Sequence, residues 1–236
     1  MLLQHHYKMI MLQHKNRISI QVGLSGYSFK IQAEGNSHSS EWMSAERIFN
    51  TSEFMKRYDQ VEVSVFTPKF ALVPNGFHAP EVSRQLLAEV ANVEETDAVD
   101  HVELPQFGAV LVYSLNVGGT LAKVVSESVM RTDGTKGRLL PEMYYILEAM
   151  SEVPDYNKIV ASYMDGYLYM AIAQGKTLLL CNSFQAPDFT TAEYFIFLAM
   201  KKLQLNPEMS SINFRTPLTE DQEMSLYRYF RSVEHI

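Results

Sequence analysis

The chain has one cysteine, Cys181, among 236 residues. An intramolecular disulfide is therefore excluded, and with it the small secreted scaffold that depends on several of them. That usage fits a reducing compartment, so a cytoplasmic protein is expected. Also missing is any stretch approaching 18 uninterrupted apolar residues, and no membrane insertion is expected. Residues 1–17 scatter Lys8, Lys15, Arg17 and three histidines among their apolar positions. This leaves no apolar run of signal-peptide length, and the segment is expected to form an N-terminal arm. Basic charge is in deficit: 20 Lys and Arg stand against 27 Asp and Glu, for a formal net charge of -7. Such a balance repels a phosphate backbone, whose binding needs clustered cations, and nucleic acid is not an expected partner.

Catalytic signatures are scarce as well. The seven histidines show no metal-ligand spacing, so no metal centre is expected. No serine sits in a nucleophile elbow. Cys181, flanked by Leu179, Leu180 and Phe184, reads as a strand residue rather than a nucleophile. Gly175-Lys176-Thr177 looks like the end of a P-loop, but the glycine required five positions earlier is Met170, and the residues that follow read as a strand rather than a helix. It is better read as a hairpin turn.

What is present is a globular composition, 47% hydrophobic and 20% charged, and a pattern that recurs. Ser25-Gly26-Tyr27-Ser28-Phe29 matches Asp165-Gly166-Tyr167-Leu168-Tyr169 at an offset of 140 residues. Phe49-Asn50-Thr51-Ser52-Glu53-Phe54 matches Phe189-Thr190-Thr191-Ala192-Glu193-Tyr194 at the same offset. Val63-Ser64-Val65-Phe66-Thr67-Pro68 resembles Ile212-Asn213-Phe214-Arg215-Thr216-Pro217 at an offset of 149, nine residues longer. Internal similarity of this kind fixes architecture before local detail.

Both copies carry the same elements. Ile18, Ile20, Val22 and Leu24 alternate with smaller or polar residues, the period of a half-buried strand, and Tyr27, Phe29, Ile31 and Ala33 continue it after a turn at Gly26. A third strand is expected near His38 to Met43. In the second copy, strands are expected near 159–164, 167–173 and 177–182. Helices should then begin at Asn50, running to about Tyr58, and at Thr190 in a Thr-x-x-Glu capping box. The second helix is apolar nearly all round, which predicts cover on more than one side. A strand closes each copy before Thr67-Pro68 or Thr216-Pro217. Thr219 with Gln222 should cap a last helix through Arg231. Between the copies, strands are expected at 70–73, 99–104 and 109–115, with helices from Pro80 to Val90 and from Gly118-Gly119 to Met130. Residues 139–150 are ambiguous, with Pro141 suited to a helix start.

Three antiparallel strands, a helix, a parallel strand and a further helix, occurring twice over most of residues 17–233, resemble the ribonuclease H-like unit duplicated in actin-like ATPases. More closely, Ile18 to Ile31 with Trp42, the Val63-to-Val73 stretch, and Asn182-Ser183-Phe184 leading to Glu193-Tyr194-Phe195 look like an uncharacterised bacterial family assigned that fold. The resemblance implies an α/β fold of two ribonuclease H-like subdomains, mixed sheets flanked by helices, with 18–135 as the first and 136–236 as the second. It also implies a cleft between them. Fold alone does not carry chemistry.

Actin-like ATPases place Asp-x-Gly at each first hairpin tip, where the carboxylate meets a metal-bound water and backbone amides cradle phosphate. Here the first tip reads Leu24-Ser25-Gly26, without a carboxylate, and the second reads Met164-Asp165-Gly166, with aspartate next to glycine. Asp-Gly is also a strong ordinary hairpin signal, because the turn needs positive φ. Ser25, Gly26, Asp165 and Gly166 are thus the candidate phosphate turns, weighed against a plain turn role. A Gly-Gly pair expected late in the second half is missing; Gly118-Gly119 precedes it. No nuclease carboxylate stands on either first strand, and Glu53 and Glu193 are better explained as helix caps.

No catalytic residue is assigned. The reading favours a non-catalytic, degenerate actin-like binding or scaffold protein that contacts another protein through the apolar surface near Phe195 to Met200 or through Tyr227, Tyr229 and Phe230. No cofactor is expected on this reading. The alternative is a nucleotide-binding protein or weak ATPase using ATP with magnesium in the cleft.

Overall fold

The computed structural model describes residues 16–33, 35–116 and 119–236. Most of the expected N-terminal arm, and Gly118 of the expected helix opening, lie outside them. The strands follow in the order β1 (Arg17–Val22), β2 (Gly26–Ala33), β3 (Asn36–Ser39), β4 (Met43–Ser44), β5 (Arg57–Tyr58), β6 (Gln60–Val65), β7 (Phe70–Pro74), β8 (Val99–Leu104), β9 (Ala109–Ser114), β10 (Met130–Arg131), β11 (Arg138–Pro141), β12 (Asn157–Met164), β13 (Tyr167–Gln174), β14 (Thr177–Gln185), β15 (Ser211–Phe214) and β16 (Ser232–His235).

By packing, the described residues form two units. One runs to Val65 and resumes for the stretch ending at Leu140; the other holds Phe66–Val117 and Pro141–Ile236. Residues 66–117 belong to the stretch 18–135 expected as the first subdomain, and they pack in the second unit.

In the first unit the sheet order is β11-β6-β1-β2-β3, with β4 beside β2. β1 runs antiparallel to β2 and parallel to β6. The alternation behind these strands is visible in their burial: Ile18, Ile20, Val22, Val61, Val63 and Val65 are inside, as period-2 sequences require. The helix Gly119–Ser128 packs against β6, with Ala122 and Val125 fully buried.

In the second unit the main sheet runs β14-β13-β12-β15-β16. β12, β13 and β14 are successively antiparallel, β12 and β15 are parallel, and β16 adds in parallel to β15. One face buries Ile159, Ala161, Leu168, Met170, Ile172, Ile212 and Phe214 against residues of the helices Phe189–Lys202 and Glu220–Tyr227. The helix Glu142–Ala149 packs on β12 and β13. A separate antiparallel sheet, β7-β9-β8, carries the short helix Ser83–Ala88 over Val73, Leu87, Val110 and Val112. The order β3-β2-β1-β6 of the first unit and β14-β13-β12-β15 of the second is the same, with the same sequence of antiparallel and parallel pairings.

Several local expectations need correction. The helix expected from Asn50 to Tyr58 is instead two 3-10 turns, Ala45–Asn50 and Ser52–Met55. Thr51 interrupts them: it is extended, its hydroxyl donates to the Arg47 carbonyl at 3.0 Å and bonds the Tyr27 hydroxyl. The second helix starts at Phe189, because Asp188 Oδ1 accepts from the Thr191 amide at 2.8 Å and takes the capping role expected of Thr190. Its burial is a single stripe of Ala192, Ile196 and Met200, while Tyr194 is 60% exposed; the cover expected on further sides is partial. Thr219 and Gln222 do form the capping box, but that helix stops at Tyr227. Burial of Phe230 and Val233 draws the chain back to lay down β16, an element the sequence did not announce. The ambiguous 139–150 stretch divides at Pro141, which ends β11 and stands as N-cap of Glu142–Ala149.

Candidate functional site

Ser25 and Gly26 form one turn. Gly23 donates its amide to the Gly26 carbonyl at 3.0 Å, and the Ser25 carbonyl accepts from the Ala45 amide at 3.1 Å. Gly26 is buried and pairs with Ser44 of β4. A Cβ there would stand 2.2 Å from the Met43 carbonyl oxygen and 2.7 Å from Trp42 Nε1. The glycine therefore lets β4 and Trp42 close onto the end of β2. Beside it, Leu24 is 58% exposed.

Asp165 and Gly166 form the other turn, joining β12 to β13. Their φ angles are 52° and 74°, the left-handed pair that a two-residue type I′ hairpin needs. The Gly166 carbonyl accepts from the Ala186 amide at 2.7 Å, tying the tip to the end of β14.

A polar cluster that sequence reasoning missed reaches the same hairpin through Ser162. Glu142 has no accessible surface. Its Oε1 accepts from Ser162 Oγ at 2.7 Å and from Arg215 Nε at 2.9 Å. The Arg215 guanidinium lies 5.5 Å from the Tyr145 ring centre, a cation–π arrangement. Ser162 pairs across the sheet with Tyr169. Burial, followed by the charges of Asp165, Tyr167 and Glu142, pushes the Tyr169 hydroxyl well above its ordinary range, so it stays protonated. Phe66 packs on Tyr169 with ring centres 5.5 Å apart. The Glu142 carboxylate thus ties its helix to β12 and to the segment after β15, beside a protonated phenol. Two signals were readable: Glu142 is the one charge inside Leu139-Leu140-Pro141-Glu142-Met143-Tyr144-Tyr145, and Arg215 replaces the aromatic Phe66 in the repeated Thr-Pro segment.

Of the remaining expected residues, Tyr227 and Tyr229 are on the surface of the second unit, while Ile196, Met200 and Phe230 are buried. Tyr229 is 51% exposed and meets Phe197 edge-on at 4.9 Å. Tyr227 is 49% exposed, its hydroxyl donating to the Val233 carbonyl at 3.1 Å. Phe230, expected as an anchor, is instead core: it stacks beneath Phe197 and is 4% exposed. Beside this set, Phe197, Met200, Lys201, Leu205 and Pro207 border an open hollow of about 510 Å³. Desolvation pushes the Cys181 thiol up to about 12, far from thiolate reactivity at neutral pH. Among the described residues, no group of three or more His, Cys, Asp or Glu could hold a metal ion.

A family model for "Protein of unknown function (DUF3822)" matches residues 9–233. The chain belongs to the DUF3822 family. No curated protein matches it. Among solved structures, the DUF3822 chain is similar to a Bacteroides thetaiotaomicron protein with actin-like ATPase fold and unknown function. The TM-score is 0.63 at 16% identity, covering 96% of this chain and 92% of that one. It is also similar to a chain of a PilM-PilN type IV pilus biogenesis complex, with TM-score 0.52 at 13% identity, covering 94% and 88%. The DUF3822 chain thus has the actin-like ATPase fold. No helix among its described residues is long and apolar enough to cross a membrane.

Proposed function

We propose that this DUF3822 chain is a non-catalytic binding module that holds an apolar segment of another protein. The observation that carries the reading is the Phe197–Tyr229 surface: an open hollow lined by Phe197, Met200, Leu205 and Pro207 together with Lys201, Gln204 and Asn206, with the exposed Tyr229 ring against Phe197. Aromatic residues at a pocket edge are the usual anchors of protein contacts, since they bury large area at low conformational cost. Lys201 and Lys202 end the Phe189–Lys202 helix, so the segment that fits has acidic residues flanking its apolar ones. The structurally similar PilM-PilN chain is itself part of a complex, which gives the reading a precedent within the fold.

The test is comparative co-purification with tagged full-length chain. Tyr229→Ala and Lys201→Glu should each lose the same interacting protein, whereas Phe77→Ala, which removes a 77% exposed aromatic elsewhere, should retain it. An identical set recovered with all three variants would refute the assignment of this surface.

A further inference from the structure

The free edges of the sheets are not alike. β3 has four residues, all exposed and polar. β11 begins with Arg138 and ends with Pro141, β7 ends with Pro74, β8 carries Asp100 and Glu103, and β16 carries Glu234. Shortness, charge and proline are the devices that keep an edge strand from pairing with another chain. β14 has none of them. It is nine residues long, Thr-Leu-Leu-Leu-Cys-Asn-Ser-Phe-Gln, with no charge and no proline, and it ends the sheet. Among the described residues, no hydrogen bond outside the β13 ladder reaches the backbone of Thr177–Gln185. A bulge at Leu179 disturbs its start, but Leu180–Gln185 remain in unbroken register with β13. That is six residues of regular edge.

We propose that β14 pairs antiparallel with β14 of a second copy of this chain, joining two five-stranded sheets across a two-fold axis. The charges at the two ends select this occupant. The chain enters β14 through Lys176 and leaves it through Asp188, both exposed. With the axis at Asn182, an antiparallel copy brings the Lys176 end of one strand to the Asp188 end of the other, and symmetry does so twice. A parallel copy would set like against like. The same register sets Leu180 opposite Phe184, which are partly exposed and packed against the core on one sheet face. Such pairing is isologous: each copy's edge is consumed by the other, so growth stops at two. The contact is separate from the Phe197–Tyr229 hollow and stands whether or not that surface binds a partner.

Asn182 is exposed, so it tolerates charge in the monomer while standing next to its own copy at the axis. Like charges directly opposite across strands are destabilising and opposite charges favourable. Sedimentation velocity over a micromolar to millimolar series should show a reversible dimer for the native chain. Asn182→Lys and Asn182→Asp should each weaken association by about two- to fivefold, with melting temperatures unchanged at dilutions where every chain is monomeric. Mixing the two variants should restore dimers as Lys–Asp pairs. A native chain that stays monomeric throughout overturns the proposal, as do dimers unaffected by either charge or a mixture no stronger than its components.

Discussion

Glu142→Ala is expected to lower the unfolding free energy of the second unit by about 3–5 kcal/mol, the range for removing one partner of a buried ion pair. The carboxylate is fully enclosed, and the Arg215 side chain keeps 11% of its surface, so water can partly rehydrate the orphaned cation. That places the expected loss toward about 3 kcal/mol. The Ser162 hydroxyl, itself buried, loses its acceptor at the same time. Urea unfolding followed by tryptophan-independent far-UV dichroism measures the change as a lower midpoint at constant slope. A Glu142→Met, Arg215→Met double variant should recover most of the loss, because two apolar side chains need no partner. A single variant within about 0.5 kcal/mol of the native chain would mean that the pair is hydrated rather than enclosed.

Gly26→Ala is the second large effect. Its new Cβ would meet a backbone carbonyl oxygen at 2.2 Å, and backbone cannot rotate away as a side chain can. Overpacking of this kind costs about 1–3 kcal/mol and more when backbone must shift. The upper end is expected here, because relief requires β4 and Trp42 to move off the end of β2. Gly76→Ala is the control: nothing lies within 4 Å of a Cβ there, and the change should be nearly neutral. Equal stabilities for the two variants in the same denaturation would contradict the packing role of Gly26.

Most of the strands were legible because their apolar residues alternate and their turns carry Gly, and the repeated segments around Gly26 and Gly166 matched strands of equal rank in two sheets. Local helical detail was less legible. Asn50 and Glu53 look like a helix start, but the fate of that segment depends on Thr51 bonding to Tyr27, 24 residues away in sequence. In the same way Thr190 looks like a cap, and only the approach of the Asp188 side chain to the Thr191 amide moves the start. β16 left no clear pattern because its four residues include one buried apolar side chain, Val233. The Glu142–Arg215 pair joins residues 73 apart, a distance that no spacing rule spans. The aromatic surface was legible as composition around Phe195–Met200 and Tyr227–Phe230, but which rings face water is decided by packing: Phe230 turns in and Tyr229 turns out.

In this actin-like ATPase fold Gly26 at one hairpin tip accommodates Trp42 and Met43, and Asp165-Gly166 at the other makes a type I′ turn, so neither tip is expected to hold a phosphate. Thermal unfolding with saturating ATP and magnesium tests this directly. A nucleotide at 100 times its dissociation constant stabilises the folded state by about 2.7 kcal/mol, which for a chain of this size raises Tm by about 5–10 °C. The predicted result is an unchanged Tm. A rise of that size, abolished by Asp165→Ala, would contradict it.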